Sequence, residues 1–81
     1  MEIKEAYEAL SEYTGSQWVK IADIQELTNQ APAVLAAAII ALMQDRSFRA
    51  EPEPFGHRID DRARRTQVMI GGEYRHHIAW V

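Results

Sequence analysis

Apolar residues recur along the first half of the chain with the period of a helix, and along parts of the second half with that of a strand. Ile3, Ala6, Tyr7, Leu10 and Tyr13 fall on one helical face, which predicts a helix over 2–13. Glu2 and Glu5 suit its positive N-terminal end, and Gly15 is placed to close it in a left-handed cap. A short extended piece, 17–20, follows, with Trp18 and Val19 expected to be buried. Ile21, Ile24 and Leu27 predict a second helix of two turns. The polar triplet Thr28-Asn29-Gln30 interrupts it, and Asn tolerates the left-handed backbone that a tight turn needs. Pro32 fits the first turn of a third helix, where its missing N–H is not required. That helix continues through Val34, Leu35, Ala38, Ile39, Leu42 and Met43, and Asp45 and Arg46 end it.

Beyond residue 46 the period changes. Phe48 and Ala50 alternate with Arg49 and Glu51, a short strand, and residues 76–81 alternate with Ile78 and Trp80 facing inward. The two segments are expected to pair antiparallel. Pro52-Glu53-Pro54-Phe55-Gly56 reads as a loop, because each proline removes a donor and fixes φ. Asp60 or Asp61 then caps a short helix over 62–68, and Gly71-Gly72 makes a tight turn. These elements predict one α+β domain over 1–81, mainly helical, with three or four short helices and a small antiparallel sheet.

Composition narrows the options. An 81-residue chain is near the lower limit for a single hydrophobic core, and without cysteine neither disulfides nor a thiolate zinc site can help it. Trp18, Trp80, Phe48 and Phe55 are therefore expected to supply much of the buried area. No apolar run approaches the ~20 residues that span a bilayer, and the acidic N-terminus lacks the layout of a secretory signal. A cytoplasmic protein is the expectation. The net charge of −3 is unevenly spread: residues 1–45 hold two lysines against seven carboxylates, and residues 46–81 hold seven arginines against five. Such asymmetry suits an anion-binding second half.

Val19, Ala22 and Ile24, the Thr28-Asn29-Gln30 turn, Pro32, and the core positions Leu35, Ala38, Ile39 and Leu42 together resemble the winged helix-turn-helix superfamily. The resemblance rests on residues 18–50; the last third matches in outline only, with a long wing carrying an extra helical turn. It implies DNA binding in a transcription-regulator-like role, with the third helix in the major groove and the wing on the backbone. A dimer is implied too, since one such module offers few contacts.

The outward positions of the third helix are Ala33, Ala36, Ala37, Ile40, Ala41 and Gln44, whereas base edges and phosphates are read by hydrogen bonds and positive charge. Three readings follow. The helix is covered by the rest of the chain; or Ala36, Ala37, Ile40 and Ala41 form a face that meets a second copy or another protein; or it enters a groove through Thr28, Asn29, Gln30 and Gln44. In the last case Arg46, Arg49, Arg58, Arg62, Arg64 and Arg65 supply phosphate contacts. Asp60 and Asp61 lie close enough to neutralise two of those arginines.

His76 and His77 are neighbours on a strand and point to opposite faces, and His57 sits in a loop, so no metal site is expected. Ser11, Ser16 and Ser47 have no nucleophile setting, and Gly71-Gly72 lacks the spacing of a phosphate loop. Neither an enzyme nor a cofactor is expected.

Overall fold

The computed structural model describes all residues, 1–81. Helix α1 spans Ile3–Thr14. Glu5 Oε1 accepts the Glu2 N–H (3.3 Å) at its start, and Gly15, at φ 72°, closes it by donating to the Ser11 carbonyl (2.9 Å). Ile3, Ala6 and Tyr7 are buried and Leu10 half-buried, but Tyr13, expected inside, is exposed. It sits on the edge of the apolar stripe and in the last turn, beyond the core. Strand β1 (Val19–Lys20) leads straight into α2 (Ile21–Thr28). Asn29 adopts the left-handed conformation (φ 54°), and α3 (Pro32–Leu42) begins with the proline at its first position.

Leu35 and Ile39 anchor α3 in the core. Two residues assigned inward by periodicity are not: Val34 is 59% exposed and Leu27 42%. Val34 lies across the helix from Ile39, and Leu27 is in the last turn of α2, where little packs above it.

Strand β2 (Phe48–Glu51) pairs antiparallel with β5 (His77–Trp80), in the register Phe48 to Trp80 and Ala50 to Ile78. Strand β1 pairs with the other edge of β5, Val19 to Ile78, so the sheet order is β1-β5-β2. With a neighbour on each side, β5 buries both Ile78 and Ala79, while Trp80 is half-buried against Phe48 (4.8 Å) and Tyr7 (5.1 Å). The other expected aromatic anchors are outside the core: Trp18 is 39% exposed and Phe55 52%. Trp18 alternates with buried Val19 at the start of a two-residue strand, and Phe55 rides the proline loop.

Between β2 and β5 the chain makes a 3-10 turn (Gly56–Arg58), helix α4 (Asp61–Thr66) and a separate hairpin, β3 (Val68–Ile70) with β4 (Glu73–Arg75). The helix expected to reach residue 68 stops at Thr66, because Val68-Met69-Ile70 is apolar and partly β-branched and is followed by two glycines. Gly71 and Gly72 both hold positive φ (62° and 84°), the requirement of a type I′ hairpin turn. Val68 joins the core, and the insertion folds back so that α4 packs on α2 and α3, and β3 on α3. The Arg75 guanidinium fastens the hairpin to the main sheet by donating to the carbonyls of Ala50 and Ile70. The architecture is thus α+β, with four helices and two small antiparallel sheets, and none of its helices is long and apolar enough to cross a membrane.

Candidate functional site

The side of α3 opposite Leu35 and Ile39 faces solvent. Ala33, Val34, Ala37, Ile40, Ala41 and Gln44 are exposed there, with Ile40 at 49%, and no charged residue lies between Pro32 and Leu42. Ala36, expected in the same face, is half-buried against the core, and Val34 occupies the opposite margin. Alanines 33, 37 and 41 recur every four residues and form a low ridge, flanked by Ile40 on one side and Val34 on the other. Beside the ridge, Ala38, Ala41 and Leu42 line an open groove of about 570 Å³ whose far wall is Glu2, Ile3, Lys4 and Trp80.

The turn residues offer little hydrogen-bonding capacity outward. Thr28 donates its hydroxyl to the Ile24 carbonyl (2.8 Å), and Gln30 is half-buried. Asn29 is exposed and forms the left-handed cap of α2.

The arginines divide into committed and free groups. Arg62 donates to Asp23 Oδ1 and Glu26 Oε1, both at 2.7 Å, and these carboxylates, Asp23 first, raise its pKa. It pins α4 to α2 and cancels acid that would otherwise sit beside α3. Arg49 donates to the carbonyls of Arg46 and Phe48, and Arg64 lies 3.4 Å from Asp61. Arg58 rests over the Phe55 ring at 5.0 Å. Arg46, Arg58 and Arg65 form no ion pair. Asp60 accepts the Ala63 N–H at the start of α4 (2.9 Å), a bond that lowers its pKa, and Asp45 is lowered in the same way by Ser47.

His76 is the centre of a second cluster. It is 7% exposed; Nδ1 accepts the Glu53 N–H (3.0 Å), so the ring proton is on Nε2, which faces Gln67 Oε1 (3.0 Å). One ring therefore ties the residue between β4 and β5, expected in the strand but lying just before it, to the proline loop and to the residue joining α4 to β3. His77 points the other way, with Nε2 3.5 Å from Glu53 Oε2. Burial lowers the pKa of both histidines, and for His76 the neighbouring His77 adds to it, while Glu53 pulls each back up. No group of three or more His, Asp or Glu side chains converges as metal ligands would. Sequence reasoning did not find the His76 bridge, because its partners come from segments with no periodic signal. The chain matches no protein-family model, no curated protein and no solved structure.

Proposed function

We propose that this chain is a winged helix-turn-helix domain that serves as a protein-interaction module, pairing with a second copy through the exposed face of α3. The element order and the β1-β5-β2 sheet support the fold reading, with residues 52–75 as an elaborated wing. The observation that carries the function is the uncharged apolar stripe opposite the core, at positions where a nucleic-acid reader places polar or basic side chains. Arg62, which could otherwise meet a phosphate, is committed internally to Asp23 and Glu26.

The stripe suits itself. When two α3 helices pack antiparallel about Ala37, the ~1.5 Å rise and ~100° rotation per residue set Ile40 of each copy over Ala33 of the other. Val34 of each falls over Ala41 of the other by the same operation. Large side chains meet small ones, no like charges are brought together, the helix dipoles oppose, and alanine contacts allow an interaxial distance of about 8 Å. Such an isologous contact closes as a two-fold dimer. The contact is confined to one short helix of each copy, and a dissociation constant in the micromolar range or weaker is expected.

Sedimentation equilibrium across a concentration series tests this. Ile40→Glu removes one apolar anchor from each copy and buries two carboxylates, which weakens the dimer by a hundredfold or more, on the order of 3 kcal/mol. A monomer at all concentrations in the unsubstituted protein refutes the reading. A second reading, DNA binding, is favoured by the unpaired Arg46, Arg58 and Arg65 together with the exposed Asn29 and Gln44. Titrating random duplex DNA over a salt series separates the two: phosphate contacts give a steep log–log slope, and the interaction module gives no binding.

A further inference from the structure

Trp18 and Phe55 stand outside the core, and both line one cleft of about 340 Å³ with Pro52, Glu53, Pro54, Arg58 and His77. We infer that this cleft binds a nucleobase carrying a phosphate, the base against the two aromatic rings and the phosphate on Arg58 and Lys20.

The loop that presents Phe55 is held in place before any ligand arrives. Two prolines fix its backbone, the Glu53 N–H is bonded to His76 Nδ1 (3.0 Å), and the Phe55 N–H is bonded to Glu53 Oε1 (3.1 Å). The volume is in the range of small-ligand sites, about 300–1,000 Å³, and the lining combines apolar walls with a few polar groups. The groups that can meet an anion are Arg58 and Lys20. Glu53, which also lines the cleft, turns its carboxylate to the Phe55 N–H, and Asp60 turns its own to the Ala63 N–H at the start of α4. Arg58 lies against the Phe55 ring without an ion pair, and Lys20 lines the adjoining cleft, which shares Glu53, Arg58 and His77, also without one. Exposed rings beside uncommitted cations are the means by which proteins hold a base by its face and its phosphate by charge. Stacking tolerates any base, so the site selects a planar phosphorylated ring and not one particular base. The site uses no residue of α3 and stands whether or not that helix pairs.

Tryptophan fluorescence tests it, with two ligands: adenosine monophosphate and an oligothymidylate roughly ten nucleotides long. Saturable quenching by either is expected. Phe55→Ala abolishes it, and Arg58→Ala weakens it about tenfold, the worth of one charge-assisted contact. In Trp18→Phe the remaining emission, from Trp80 packed against Tyr7 and Phe48, stays unchanged. Quenching by the monophosphate assigns a free nucleotide; quenching by the oligonucleotide alone assigns a base in a single strand. The Trp18 indole N–H resonance of the unsubstituted protein gives the same answer without any variant. Silence in both arms overturns the inference, and so does quenching that survives Phe55→Ala.

Discussion

His76→Phe is the most incisive perturbation of this fold. Phenylalanine keeps the ring's volume inside the protein but can neither accept the Glu53 N–H nor donate to Gln67 Oε1. A buried polar group that loses its partner costs about 1–3 kcal/mol, and half-buried Gln67 can turn toward water, so the expected loss is about 1–3 kcal/mol, from the Glu53 N–H. Against the 5–15 kcal/mol typical of a domain, roughly, that is a large fraction. The substitution also changes how stability responds to pH. Burial holds the folded-state pKa values of His76 and His77 below the ordinary value, so the unfolded chain takes up protons first on acidification. Both contributions are complete above the unfolded pKa, about 6.5, and are lost as pH falls through the folded values. Each histidine adds a slope of up to about 1.4 kcal/mol per pH unit in that window, so removing one leaves at most the slope of the other. Urea unfolding followed by circular dichroism at several pH values between about 5 and 8 measures both effects. An unchanged midpoint at neutral pH, or an unchanged pH slope in the variant, refutes the bridging role of the ring.

Other substitutions probe separate parts of the molecule. Arg62→Ala cuts the tie between α4 and α2; because the pair is more than a third exposed, the loss is no more than about 1 kcal/mol, read from the same urea curves. Gly72→Ala meets no neighbouring atom but must adopt φ +84°, so it lowers stability by about 1–2 kcal/mol through backbone strain alone. Leu35→Ala, at the buried side of α3, costs about 2–5 kcal/mol, whereas Glu8→Gln on the exposed side of α1 leaves the thermal midpoint within about a degree or two.

The parts of this architecture that could be read from residue order are those set by local chemistry. Gly15 and Asn29 each require a left-handed cap, Pro32 opens a helix, and the alternation at Phe48–Glu51 and around Ile78 locates two strands that do pair. Burial was harder to read. Trp18, Phe55 and Tyr13 are large and apolar, but their exposure depends on which neighbours reach them, and periodicity says nothing about where a neighbour ends. The β3–β4 hairpin was hidden because three residues on each side of Gly71-Gly72 carry too short a pattern to separate from a helix end. Half of the α3 face was legible: Ile40 and Ala37 follow from Leu35 and Ile39 by rotation, while Val34 is exposed because nothing covers the flank where it stands. The commitment of Arg62 to Asp23 and Glu26 depends on the insertion folding back, which no local pattern encodes.

The central position of β5 has a consequence for how the molecule comes into being. Its two neighbours are made early, yet neither β1 nor β2 has any partner until Ile78 arrives to lie between them. Sheet closure joins segments distant in sequence and waits for residues 77–80 to emerge. During synthesis β1 and β2 therefore emerge before the strand that joins them, and until it arrives Val19 and Phe48 lack their sheet partners Ile78 and Trp80.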